Sequence, residues 1–447
     1  MLINKATFNI KNLINLLLAL IPLSLILGNL AININIILIG ILGLIVYRLE
    51  IFRITEKKYR YLIYSFFLYL ILITLINNLP NLNVDSQIHP IQGGNFYYST
   101  HIFKSILFLR YLLLFLVINK LAEKNDLKIK PFFLSCAFFA LLIAIDIIIQ
   151  VSFGKNLIGL PVTSLRPSSF FAGEHIAGGY IQKFSLFFIF YIIFYFLNKK
   201  NIRTDFYILI HFIFFFISIV LTLNRMSALI YFLSIIIFFL MEKRFKLLLV
   251  SILMFITIIF LAYRFSPIER MGNQLKTFYL ASLQIAKILP KLVLSDTYEI
   301  KKNSSVSGSG YLLHFNSGIQ VWKQSKVFGK GLKSFRLNCS YEMGQTCNTH
   351  PHNYILELLV DTGVVGFLLI YFMFIFVTFN FIKFYNYNFN SSIKYIGLPF
   401  FLILFFEFFP IRSTGSFFTT SNATIIFMMF AFLINISKLN FREIKLQ

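Results

Sequence analysis

Apolar residues come in runs of about twenty along the whole chain, and short polar clusters separate the runs. An α-helix rises about 1.5 Å per residue, so roughly twenty residues cross the hydrocarbon layer of a bilayer. That ruler predicts spans near 11–29, 30–47, 60–79, 101–119, 131–151, 177–197, 206–223, 226–240, 246–263, 364–381, 395–410 and 420–437. The second includes Asn33 and Asn35, and the run at 226–240 is short. Residues 264–363 break the rhythm. This stretch holds the only tryptophan, Trp322, a Gly/Ser-rich turn at Ser304–Gly310, and amphipathic segments around 268–289 and 311–326. Loops of such length in compact proteins are usually functional. The pattern predicts an all-α polytopic membrane protein of about twelve transmembrane helices. Nine helices fall in 1–263, a loop domain of short helices occupies 264–363, and three helices and a cytoplasmic tail make up 364–447.

Composition agrees. Of 447 residues, 58% are hydrophobic and 13% charged, with a mean hydropathy of +0.78, whereas soluble domains carry about 25% charge. A water-soluble enzyme and a single-anchor protein are both excluded. The net charge of +24 sits in short clusters between apolar runs, which marks orientation in a membrane and not a nucleic-acid surface. The segments 1–11, 48–60, 120–130, 198–205, 241–246, 380–394 and 438–447 hold 22 Lys and Arg, against 4 in 80–100, 152–176, 224–226 and 411–419. The positive-inside rule then places both termini in the cytoplasm and 264–363 outside. The N-terminal run lacks a small-residue cleavage site and leads straight into another span, so it reads as a first helix and not a signal peptide.

Charged groups inside spans are costly, and Arg110, Asp146, His211 and Glu407 each need a reason. An ion pair between Arg110 and a carboxylate is the simplest. Of three cysteines, Cys136 lies in an apolar span as a small buried residue. Cys339 and Cys347 bracket the segment SYEMGQT in the outward loop, where an oxidising compartment favours a disulfide. A zinc site shared with His350 and His352 is the less favoured use of the same residues.

Four outward patches carry candidate chemistry. Arg166 to Tyr180 reads RPSSFFAGEHIAGGY, with small residues that admit close backbone approach beside Arg166, Glu174 and His175. Leu221 to Ser227 reads LTLNRMS, a tight turn that sets Arg225 at a helix N-terminus, where an anion gains from both. Phe328 to Arg336 reads FGKGLKSFR, a weak phosphate-cradle pattern. His350 to Gly366 reads HPHNYILELLVDTGVVG; Pro351 extends His350, and Asn353 is suited to cap the apolar run that follows. The two histidines thus stand at a helix N-terminus, whose positive end favours neutral imidazole.

At these residues the sequence resembles the O-antigen ligase/polymerase superfamily of bacterial envelope glycosyltransferases. The likeness lies in the Asn-Arg225-Met-Ser turn, in Gly329 to Phe335, and above all in His-Pro-His-Asn followed by Glu-Leu-Leu-Val-Asp-Thr-Gly-Val-Val-Gly. It covers 160–380, and elsewhere rests on span number. The resemblance implies a GT-C-like transferase in the bacterial inner membrane. It would move a glycan from undecaprenyl diphosphate to an acceptor sugar hydroxyl, lipid A–core in a ligase, at the periplasmic face. It implies His352 as general base with His350 beside it, and Arg225 on the donor diphosphate. A loop arginine is also implied, for which Arg264, Arg270 and Arg336 compete, with Arg166 a further candidate. Glu174, His175, Asn353 and His314 are supporting or acceptor-side candidates; His314 stands where the family often has an arginine before the loop tryptophan. Carboxylates arranged for a divalent metal are absent from the outward patches, so arginines are expected to stabilise the leaving diphosphate without metal or cofactor.

An O-antigen or exopolysaccharide polymerase on the same scaffold is the near alternative. A non-catalytic polysaccharide or lipid transporter is the distant one, since the polar groups gather on one outward face and not along a midplane path. Orientation is directly testable. A reporter active only outside the cytoplasm, fused after Ser305, should be active, and one fused after Lys124 should be silent. The reverse pattern would invert every site assignment.

Overall fold

A computed structural model describes residues 2–81, 87–88, 95–96, 98–162, 166–196, 202–265, 310–339, 347–389, 391, 393–410, 412 and 415–438. Helices α1 (Leu2–Ala19) and α2 (Ile21–Leu27) meet at a 48° bend, with Pro22 in the first turn of α2. They are followed by α3 (Asn29–Tyr47), α4 (Lys57–Asn78), α5 (Tyr98–Leu107), α6 (Leu109–Glu123), α7 (Ile129–Phe153), α8 (Ala177–Phe196), α9 (Ile202–Leu221), α10 (Arg225–Met241) and α11 (Phe245–Phe265). Beyond the long loop come α12 (Gly310–Lys323), α13 (Phe335–Asn338), α14 (Tyr354–Tyr387), α15 (Lys394–Glu407) and α16 (Thr420–Ile434). Each apolar run read from the sequence falls chiefly on one or two of these helices. Among the described residues, five stretches are long and apolar enough to cross a bilayer, and the bent α1–α2 pair makes six; α8, α9, α10, α11 and α16 hold shorter apolar helices. The chain is an α-helical polytopic membrane protein. Its described strands are one antiparallel pair of two residues each, Gln87–Ile88 and Asn95–Phe96.

Aromatic rings fill the spaces between helices. Phe133 of α7 meets Phe187 of α8 at 4.9 Å between centroids, Phe187 meets Phe400 of α15 at 5.1 Å, and Phe400 meets Phe432 of α16 at 4.6 Å. Each such pair adds about 0.5–1.5 kcal/mol beyond burial alone. Lipid offers no hydrophobic drive between helices, so contacts of this kind bear the association.

The charges within the bundle are partnered, but not as the simplest reading has it. Arg110 donates to the Leu107 carbonyl at 2.8 Å and the Tyr111 hydroxyl at 2.7 Å, and it stacks on the Tyr111 ring. These neutral partners take the place of the expected carboxylate. Asp146 accepts from Leu157 N at 2.8 Å and Ser169 Oγ at 2.6 Å, pinning the segment that follows α7. His211 Nδ1 contacts its own helix at the Tyr207 carbonyl, 2.6 Å away. Glu407 pairs with Lys183 at 2.8 Å and Arg412 at 2.9 Å. Removing one partner of such a buried set costs roughly 3–5 kcal/mol, because it strands the remaining charge.

The largest difference from the hydropathy pattern concerns α14. It begins at Tyr354, ahead of the span predicted from 364, and is interrupted at Gly363, whose φ is +62° and ψ −171°. The turn between α12 and α13 fills the break. Val364 N donates to the Lys326 carbonyl at 3.0 Å and Val365 N to the Val327 carbonyl at 3.2 Å, while Lys330 N and Gly331 N donate to the carbonyls of Val360 and Asp361. Gly329 (φ +75°) lies so close that a Cβ there would sit 2.4 Å from Gly363 N and 2.6 Å from the Asp361 carbonyl oxygen. Gly329→Ala should therefore cost about 2 kcal/mol or more, from left-handed backbone strain and the clash together. At Gly179 the nearest atom to a Cβ is Ser227 Oγ at 3.6 Å, and Gly179→Ala should be nearly neutral. Thermal unfolding in detergent checks the pair; equal midpoints would refute the docking of this turn.

Candidate functional site

The histidine turn is fixed from its C-terminal side. Asn353 caps α14 by accepting from Leu356 N at 3.0 Å. Its amide donates to the carbonyls of Pro410 and Arg412, both at 2.8 Å. One short side chain thus ties the start of α14 to the segment after α15. Arg412 reinforces the tie, its guanidinium 5.0 Å from the centre of the Tyr354 ring. Next to the cap, His352 takes a left-handed conformation, φ +56°.

Three imidazoles meet here. The rings of His350 and His352 are 4.2 Å apart, and His314 of α12 lies 4.9 Å from His352. Asn348 Nδ2 donates to His352 Nε2 at 2.9 Å, which puts the ring proton of the neutral form on Nδ1. His350 Nδ1 contacts Thr349 Oγ1 at 2.9 Å, and its buried Nε2 has no hydrogen-bond partner among the described residues. Burial, followed by the charges of His352, Arg336, His314 and Lys333, lowers the His350 pKa to about 3. Burial and then His314 lower that of His352 to about 4. Both rings are neutral at pH 7. Desolvation is the larger cause, where the helix terminus alone was expected to act.

Two cations, Lys333 and Arg336, act electrostatically on His350. The buried Asp361 carboxylate accepts from Lys333 N at 2.6 Å, Ser334 N at 3.0 Å and Ser334 Oγ at 2.9 Å, fixing the backbone that opens α13. Arg336 rides on that short helix. Its pKa is held below the usual arginine value by burial, although Asp361 and Glu357 act the other way. Lys333 is lowered as well, by burial first and then by Arg336 and Lys104. The Cys339–Cys347 disulfide joins the end of α13 to the stretch of chain that leads into His350. With the two sulfurs bonded to each other, neither is a thiolate ligand for zinc. Glu357 is likewise committed inside the fold, accepting from Ser416 Oγ at 2.6 Å and Phe417 N at 2.5 Å.

The remaining candidates form a second surface. Ser169, with φ +54°, donates its amide to Gln150 Oε1 and its hydroxyl to Asp146, while its carbonyl accepts from Asn156, so the Arg166–His175 segment is anchored at one buried residue. Burial and then the Arg166 charge lower the His175 pKa; Glu174 is exposed. A Cβ on Gly178 would sit 2.4 Å from Thr222 Oγ1, so this segment packs on the turn before α10. Asn224 caps α10 by accepting from Ser227 N at 3.3 Å, and Arg225 is the first residue of that helix. The first two sequence patches are thus one surface, made of elements other than those around the histidines. Arg270 and the amphipathic segment 268–289 lie outside the described residues.

Sequence reasoning gives no part to Asp361 or Arg412, and gives Lys333 only a place in the weak phosphate pattern. For Asp361 a signal exists: a carboxylate within an apolar run is costly and is retained for a partner. Arg412 carries no such mark, since it falls in a short polar connection.

Residues 210–371 match the family model described as O-antigen ligase. The matched stretch takes in Arg225, the basic turn, the histidine turn and the broken start of α14. No curated protein matches the sequence. This match supports membership of the O-antigen ligase superfamily, whose members are glycosyltransferase-like enzymes.

Proposed function

We propose that the protein is an O-antigen ligase-type glycosyltransferase of the bacterial inner membrane, with about twelve spans, both termini cytoplasmic and a periplasmic site. It moves a glycan from undecaprenyl diphosphate to an acceptor sugar hydroxyl, that of lipid A–core. The observation that carries this reading is the meeting of neutral imidazoles with Lys333 and Arg336 inside the matched segment. The acceptor oxygen attacks the anomeric carbon, the bond from that carbon to the phosphate oxygen breaks, and the hydroxyl proton passes to imidazole. Cations stabilise the diphosphate that leaves. His352 is the base once its Nε2 exchanges the Asn348 amide for the acceptor hydroxyl, with His350 orienting the acceptor. Arg336 and Lys333 hold the diphosphate near the rings, and Arg225 with Arg166 extends the donor surface.

A second reading exchanges the histidines. His352 Nε2 is already engaged by Asn348, whereas His350 Nε2 is free of protein partners among the described residues. A polymerase differs from a ligase in its acceptor, and the same geometry serves either. In a deletion strain, lipid-linked polymer accumulating without long chains on the core identifies a ligase; core bearing a single repeat identifies a polymerase.

General-base removal typically lowers rate by 10²–10⁴. His352→Ala should lose transfer on that scale in a purified assay while still binding lipid-linked donor. Full activity in His352→Ala with a dead His350→Ala would select the second reading, and activity in both would end the assignment. Arg336→Lys should recover part of what Arg336→Ala loses, since a point charge does not replace a planar fork. The pH profile has a defined sign. The free imidazole is protonated only near pH 4, so kcat/KM should hold from neutral pH down to about pH 5 and then fall. Arg336 and Lys333 act on His350, so under the second reading a bound diphosphate raises that imidazole's pKa and the acid limb of kcat should lie at higher pH than that of kcat/KM.

A further inference from the structure

The turn that fills the break in α14 lies deeper than a loop at a membrane surface should. Its Phe328 carbonyl accepts from the hydroxyl of Tyr69 at 2.7 Å. Tyr69 stands near the midpoint of α4, which runs from Lys57 to Asn78. At about 1.5 Å per residue, the Phe328 carbonyl is therefore level with the middle of a helix that crosses the bilayer. Leu332 N donates to Thr74 Oγ1 at 2.9 Å. Thr74 is closer than Tyr69 to the C-terminal end of α4, so Leu332 marks a shallower level of the same descent.

Irregular backbone at that depth is tolerated only where its polar groups are satisfied by protein or face a water-filled cavity. Here protein meets most of them, from the Gly329 amide onward and at the carbonyls from Lys326 to Gly329. Each amide from Gly329 to Ser334 donates within the fold: to Ser325 O, Val360 O, Asp361 O, Thr74 Oγ1 and the two Asp361 carboxylate oxygens in turn. The carbonyls of Lys326, Val327, Phe328 and Gly329 accept from Val364 N, Val365 N, Tyr69 Oη and Ser325 Oγ. The tip side chains are nonetheless turned outward, Val327 being 52% and Phe328 59% exposed. Along the same length α4 exposes Leu68 and Leu72. Lys330 is drawn back from the tip, its Nζ donating to Gln324 Oε1 at 2.6 Å and Asn338 Oδ1 at 2.7 Å. Lys326 has a stem long enough to carry its charge toward the interface. We infer that the Lys326–Lys330 turn is a re-entrant element inserted in the bilayer, with Val327 and Phe328 packed against lipid hydrocarbon. It anchors the loop that carries Lys333 and Arg336, and it does not rest on the proposed reaction.

The test is spin-label accessibility in proteoliposomes of the full chain. Val327→Cys and Phe328→Cys are labelled without reductant, so that the disulfide stays closed, with unsubstituted protein as the control for Cys136. Leu68→Cys serves as the lipid reference and Glu174→Cys as the aqueous one. The labels at 327 and 328 should match Leu68, reached by oxygen and shielded from a water-soluble nickel chelate. Access to nickel would reveal a water-filled cavity, and shielding from both would reveal burial in protein; either overturns the inference. Should the substitutions disturb folding, the unsubstituted protein is irradiated in bilayers whose acyl chains carry a diazirine near the terminal methyl. Lipid adducts on the 327–330 peptide are the expected result, and adducts on α4 with none on that peptide would refute it.

Discussion

A backbone amide or carbonyl within a bilayer has no water to bond, and an orphaned one costs several kcal/mol. The break at Gly363 takes several such groups out of the ladder of α14, and the turn at 326–331 gives them partners. Much of the site depends on this exchange. It places Asp361 beneath the Lys333 and Ser334 amides, which set the start of α13 and hence Arg336. The same short first segment of α14 presents the histidine turn at its capped end. A continuous α14 would offer no dock for the turn, and the cations would lose their fixed distance from the imidazoles.

Charge is sorted by burial around this joint. Asp361 and Glu357 are buried and commit their oxygens to backbone amides and serine hydroxyls, which neutral protein can supply. The imidazoles of His350 and His352 are hydrogen-bonded to neutral side chains, and among the described residues no carboxylate bonds to either ring. For Arg336, burial outweighs the attraction of both carboxylates, so its charge is incompletely compensated. Such a cation gains from an incoming anion more than one already locked in an ion pair does, as Arg412 is with Glu407.

The helices are legible because hydropathy alone marks a bilayer-spanning segment, and the cap at Asn353 because an amide before an apolar run has few other uses. The break in α14 is not. Gly363 sits in a largely apolar stretch, and nothing in its hydropathy reveals that Lys326 and Val327, far earlier in the chain, supply the missing partners. Arg110 misleads for a related reason. A charge in an apolar run announces a cost without naming the partner, and a carbonyl with a tyrosine hydroxyl meets that cost as well as a carboxylate would. Cys339 and Cys347 can be read as a pair from their shared outward loop, yet what the pair joins, α13 to the approach of His350, needs the fold.

The site also balances two opposed demands. On the proposed reading, cations must stand close enough to the reacting centre to stabilise a diphosphate, and an imidazole must stay basic enough to take a proton. Packing both into one partly buried place lowers the imidazole pKa, by desolvation first and by repulsion second. In the absence of substrate the rings are therefore weak bases. An arriving anion would offset the Arg336 and Lys333 charges that act on His350, though not the desolvation that is the larger cause. On the proposed reading, His350 is therefore a somewhat stronger base with the donor in place than without it, while His352, whose pKa is lowered by burial and then by His314, is not tuned in this way.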